Sequence, residues 1–109
     1  MQNFIKMWLL LLIPFVENAF LYGVSAEQPC YIWIYLEVEN GRLAFTAENT
    51  RIVEAQSHRG AGQGIRNTRQ RLELLYPHRH QLKIEDNKEN FLVQLELQLI
   101  EKNNAILQA

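Results

Sequence analysis

The sequence predicts an α+β fold, a two-layer sandwich. Its sheet is mixed, mostly antiparallel and four-stranded, with two main helices on one face. Three observations predict it. An apolar stretch over residues 5–22 reads as a helix. Two alternating pairs of segments, within 31–48 and 81–99, read as hairpins. Between them, residues 65–76 carry a helical repeat that Pro77 ends. With 109 residues, 48% hydrophobic and 21% charged, the chain is expected to form a single domain over 1–109 with one modest core. A net charge of −1 gives no general electrostatic attraction to nucleic acid. Cys30 stands alone, which excludes an internal disulfide framework and fits a reducing compartment.

The first helix is apolar nearly all round, so deep burial is expected. Pro14 either starts its second part or kinks it, because proline donates no N–H. Glu17 and Asn18 are an acid and an amide in this apolar setting, costly unless they meet a partner. Gly23 is placed to cap the C-terminus. A competing interpretation takes Lys6 and the run after it as a signal peptide with a cleavage site at Val24-Ser25-Ala26. The apolar run is too short to span a bilayer.

In the first hairpin Ile32, Ile34, Leu36 and Val38 face one way, and Tyr31, Trp33 and Tyr35 the other. Asn40-Gly41 is the strongest short hairpin signal, since a type I′ turn needs positive φ at both positions. The return strand places Leu43, Phe45 and Ala47 on one face and runs into Glu48-Asn49-Thr50. Residues 51–59 read as a loop. Gly60, Gly62 and Gly64 follow at every second position and read as a glycine loop feeding a helix N-terminus, an anion site in principle. It is not a dinucleotide fingerprint, because polar residues rather than a buried strand precede it. Nor is it a P-loop, because no Gly-Lys-Ser/Thr follows. His78 and His80 in a surface turn make a poor metal site. In the last strand Phe91, Val93, Leu95, Leu97 and Leu99 alternate with polar partners and Leu92, and a short tail starts at Ile100.

Three polar elements therefore recur on separate segments: Glu17-Asn18, Glu48-Asn49 and Gly62-Gln63-Gly64. The arrangement resembles the Bergerat-type ATP-binding fold shared by gyrase, a heat-shock chaperone, histidine kinases and MutL. More closely, it resembles the ATPase domain of sensor histidine kinases of the autolysin-sensor class. PFVENAFLYG, residues 14–23, resembles that family's N-box. GQGIRNTRQRLELLYP, residues 62–77, resembles its second glycine box and the following helix. The resemblance covers residues 10–99.

The resemblance implies ATP and Mg²⁺ as ligands. Asn18 would ligate the Mg²⁺ that bridges the phosphates, as a hard oxygen donor can. Glu17 would be the catalytic acid beside it. Glu48 would accept from the adenine amino group, with Asn49 beside it. Gly62 and Gly64 would form the phosphate loop, and Asn67 and Arg71 would add polar contacts from the helix. The departures are Glu48-Asn49-Thr50 in place of Asp-x-Gly, and Leu21 and Tyr22 where the family carries a lysine and a histidine near the phosphates. The implied protein is a bacterial two-component sensor, with this part as a cytoplasmic domain of a membrane-bound homodimer. Its partners would be a response regulator and a separate histidine-bearing dimerisation domain, a region not expected within this chain. The alternatives are a degenerate domain of the same fold used for interaction or dimerisation, and a secreted binding domain starting at Glu27.

Overall fold

The computed structural model describes residues 2–52 and 61–99, and their side chains except at 2–7 and 61–63. The order is α1 (Gln2–Gly23), β1 (Ile32–Glu39), β2 (Arg42–Thr50), α2 (Ala61–Leu75), β3 (His80–Asp86) and β4 (Asn90–Gln98). One sheet runs β1-β2-β4-β3. All three pairings are antiparallel, so the sheet has no parallel pair where a mixed one was expected. The reason is topological. α2 carries the chain from β2 to the far edge, and β4 returns beside β2, so two hairpins share a central antiparallel ladder.

The Asn40-Gly41 turn forms as its residue types require, with φ of 52° and 77°. It joins Glu39 and Arg42 as the last pair of β1 and β2. Pro77 ends α2 through a second turn. Arg79 N–H donates to Tyr76 C=O at 3.0 Å, with proline next and then His78 at φ 62°. That is a type II turn with histidine where glycine or asparagine is usual.

The core follows from strand alternation. Leu43, Phe45 and Ala47 of β2 lie opposite Leu97, Leu95 and Val93 of β4, so the six share one face. Leu11, Leu12 and Phe15 of α1, Leu72 of α2 and Tyr76 just beyond it close over that face. The Phe15 and Phe45 rings sit 6.1 Å apart. Each such side chain, fully buried, contributes about 1.5–3 kcal/mol. Both helices thus lie on one side, and the other face of the sheet carries no helix among the described residues.

Three features of α1 differ from expectation. It is one continuous helix through Pro14. It is buried along one face only, with Leu9, Leu10, Ile13, Phe20 and Leu21 exposed, because the two-helix layer leaves its outer side uncovered. Gly23 is its last residue and does not have the positive φ of a glycine cap. It is small for another reason: a Cβ there would lie 2.7 Å from Asn49 Cβ. Ile52 N–H then donates to Tyr22 C=O at 3.0 Å, tying the exit of β2 to the end of α1. The rest of the loop expected over 51–59, Gly60 and the tail from Ile100 lie outside the described residues.

Two outcomes test this packing. Gly23→Ala is expected to lower stability by about 1–3 kcal/mol, as overpacking does. Gly64→Ala, whose Cβ would meet Pro14 at an ordinary 3.6 Å, should not. Urea titration of both variants reads the difference. Burial, against smaller opposing contributions from a Trp8 hydrogen bond and from Arg79, holds the Tyr76 phenol above its ordinary range. A raised folded pKa stabilises fully below the unfolded value near 10 and loses that contribution as pH rises through the folded value. Stability should therefore fall above about pH 10, and Tyr76→Phe should make that alkaline limb shallower in thermal melts.

Candidate functional site

The flank between α1 and α2 gathers the polar residues of the helix layer. Pro14, Asn18 and Tyr22 recur at four-residue spacing along α1 and so share a side of the helix. Pro14 meets the first turn of α2 at Gly64. At the other end, Gly23 meets Asn49. Asn18 lies between these contacts, about 6 Å along the helix from Pro14 and about 7 Å from Gly23. The asparagine is 8% exposed, and its side-chain amide has no hydrogen-bond partner among the described residues. A buried amide left this way costs about 1–3 kcal/mol. It is the buried polar side chain of the layer for which the described residues supply no hydrogen bond at all.

The other two each make a hydrogen bond. Asn49, 1% exposed, donates from Nδ2 to Thr50 C=O at 2.7 Å, which leaves its Oδ1 as an acceptor. Thr68, fully buried in α2, donates from its hydroxyl to Gly64 C=O at 2.9 Å. That bond back to the preceding turn satisfies a hydroxyl that α2 has placed in the core.

The strand end differs from the sequence-based assignment. Glu48 pairs across from Trp33 and Leu92, so its side chain emerges on the helix-free face of the sheet. Its Oε2 accepts from Tyr31 Oη at 2.9 Å and from Asn90 Nδ2 at 2.7 Å. These bonds tie the entry to β1, the end of β2 and the start of β4. The carboxylate is on the opposite face from Asn18 and cannot serve one site with it. Asn49 is the residue of this pair that points into the helix layer. The signal was present in the chain: Leu43, Phe45 and Ala47 are inward, and the next residue in that series is Asn49.

The glycines differ as well. Helix α2 starts at Ala61, so Gly62, Gln63 and Gly64 form its first turn and are not a loop before it. The N–H groups of Gly62 and Gln63 lack intrahelical acceptors, at the positive end of the helix dipole, whereas Gly64 N–H is the first that can bond within the helix. Asn67 and Arg71 follow Gly64 at three and seven residues, on the flank toward α1, and both are exposed. Arg66 and Arg69 point elsewhere round the helix. Glu17 is exposed and lies about 100° round α1 from Asn18. Leu21 is exposed and brings no charge to the flank. Among the described residues no cluster of three His, Cys, Asp or Glu side chains is arranged to hold a metal. No helix among them is long and apolar enough to cross a membrane.

No family model and no curated protein matches the chain. Among solved structures it is similar to the histidine kinase domain from Erythrobacter litoralis EL346 blue-light activated histidine kinase. The match has a TM-score of 0.56 at 18% sequence identity and covers 83% of this chain and 42% of that one. The chain thus spans less than half the length of that neighbour. Likeness at this identity shows the fold, which is histidine kinase-like and α+β.

Glu48→Ala should cost about 1 kcal/mol by removing the acceptor of two hydrogen bonds. The Glu48 bond is the first cause, ahead of burial, that keeps the Tyr31 phenol above its ordinary range. Ultraviolet titration of the variant should therefore show one tyrosine ionising at lower pH than in the parent chain.

Proposed function

We propose that this chain is the ATP-binding catalytic domain of a two-component sensor histidine kinase. The observation that carries the proposal is Asn18: a buried amide without a hydrogen-bond partner among the described residues, between the first turn of α2 and the inner end of β2. A ligand seated there would supply the missing partner. The triphosphate would lie against the free N–H groups of the first turn of α2 at Gly62 and Gln63, with Gly64 next to them, where an anion is favoured. Asn18 would give an oxygen to Mg²⁺, an ion that takes most of its other ligands from phosphate and water. Asn49 Oδ1, not Glu48, would accept from the adenine amino group. Arg71 and Asn67 would reach the phosphates from the exposed flank of α2.

ATP supplies the γ-phosphoryl group, whose acceptor would be a histidine on another domain. This chain's residues hold and orient the nucleotide and stabilise charge, which is most of what phosphoryl transfer asks of a protein. Glu17, on the exposed side of α1, is available to a group arriving from solvent. The full protein would be a membrane-bound homodimer with this domain in the cytoplasm and a response regulator as its downstream partner.

A second function has its own support. Glu48, which matches the family's acid, turns away from the flank, and the inward Asn49 is neutral and packs directly on Gly23. Leu21 and Tyr22 bring no cation, so charge-assisted bonds to phosphate are lost there. These features favour a domain of the same fold that has given up nucleotide and serves in interaction.

Thermal unfolding with Mg²⁺ and a non-hydrolysable ATP analogue separates the two. Ligand at 100 times its dissociation constant adds about 2.7 kcal/mol. A stabilisation that needs Mg²⁺, weakens in Asn18→Asp and persists in Glu48→Ala is expected. No shift at millimolar analogue would overturn the ATP-binding function and leave the second.

A further inference from the structure

Thr50 closes β2 by an irregular pairing with Tyr31. In an antiparallel ladder a hydrogen-bonded pair exchanges two backbone bonds. The pair that follows Ile32 and Asn49 makes only one of them: Thr50 N–H donates to Tyr31 C=O at 3.1 Å. The returning bond is diverted. Tyr31 N–H donates to the Thr50 hydroxyl at 2.7 Å, and that hydroxyl donates back to Tyr31 C=O at 3.3 Å. One side chain thus takes the place of a main-chain acceptor, using both roles open to a hydroxyl.

The diversion leaves Thr50 C=O without its ladder donor, and Asn49 Nδ2 donates to it at 2.7 Å. A carbonyl only accepts, so the end of the amide held there is the NH2 end. The same end lies beside α1: Nδ2 and Cγ would be 3.1 and 3.2 Å from a Cβ at Gly23, closer than Oδ1. Oδ1 belongs to a side chain 1% exposed, and no described residue donates to it. An acceptor buried in this way is costly until a donor arrives. The inner end of β2 therefore offers a ligand one hydrogen-bonding character only, that of an acceptor.

We propose that Thr50 sets base selectivity at this flank, by holding the Asn49 amide with its NH2 group engaged and its oxygen presented. The inference rests on the nucleotide-binding function proposed above. An aminopurine such as adenine brings a donor to Oδ1. An oxopurine such as hypoxanthine brings a carbonyl oxygen there, and two acceptors repel. An unheld asparagine suits either base, since turning its amide over exchanges acceptor for donor. A carboxylate needs no such device, because both its oxygens accept. The lock gives a neutral side chain the discrimination of an acid. Thr50 is a positioning residue: it acts through Asn49 and does not touch the base.

Two measurements on the full chain test this, and only the second needs nucleotide. Without ligand, NMR should show a coupling across the hydrogen bond from Asn49 Nδ2 to the Thr50 carbonyl carbon. Thr50→Ser keeps the hydroxyl and should keep the coupling. Thr50→Val keeps the shape but returns Tyr31 N–H to the carbonyl of residue 50, where it competes with Asn49, so the coupling should be lost. With Mg²⁺ and the non-hydrolysable triphosphate analogues of adenosine and inosine, the parent chain should bind the adenosine compound about tenfold more tightly or better. That preference should persist in Thr50→Ser and shrink several-fold in Thr50→Val. A fall in both affinities at an unchanged ratio would mean a merely structural role and overturn the proposal. So would a coupling that survives in Thr50→Val. Failure of both analogues to bind a chain that shows the coupling would instead bring down the nucleotide-binding function, and the selectivity with it.

Discussion

The central ladder between β2 and β4 governs the rest of the molecule. It sets which residues of β2 face the helices, and that phase carries through to the strand's end. Leu43, Phe45 and Ala47 pack under α1, so Asn49 must follow them inward and Glu48 must turn away. The inward Asn49 in turn fixes the end of α1, because the strand and helix approach so closely that a glycine is needed at position 23. From that contact α1 runs back past Asn18 to Pro14, where it receives the first turn of α2. A one-residue slip in the ladder would exchange the two faces and dismantle both the core and the flank between the helices.

Most of the fold was legible in the chain because it rests on local rules. Period-two alternation marked four strands, Asn40-Gly41 marked the turn, and Pro77 marked the end of α2. Less legible were features that depend on what lies across the chain. The expected burial of α1 on all sides came from its composition, but burial depends on how many elements cover it, and two-layer packing covers one side. The role of Gly23 could not be read from spacing, since only the position of Asn49 explains it. The glycines at 62 and 64 suggested a loop because of their freedom, yet a helix needs only that its first turn be allowed.

The candidate site was legible in part. Asn18 is conspicuous as an amide in an apolar run, and the structure gives that oddity a physical form in a buried group without a hydrogen-bond partner among the described residues. Glu48 matches the family motif by residue type, but strand phase, followed two positions past Ala47, turns Asn49 inward and Glu48 to the other face. The lesson is specific: in a strand that ends at a site, alternation outranks chemical similarity in deciding which neighbour points inward.

The Glu48–Asn90 hydrogen bond joins residues 42 positions apart. The flanking hairpins, by contrast, close over a few residues each. Short hairpins form in about 1–10 μs, whereas the central ladder must also close a loop of roughly 40 residues, and non-local pairings are the slow ones. On these scales the sheet is expected to assemble from its margins toward its middle. Until β4 arrives, β2 presents an inner edge lined by Leu43, Phe45 and Ala47, and the segment most protected in the finished protein is the one longest at risk of the wrong partner.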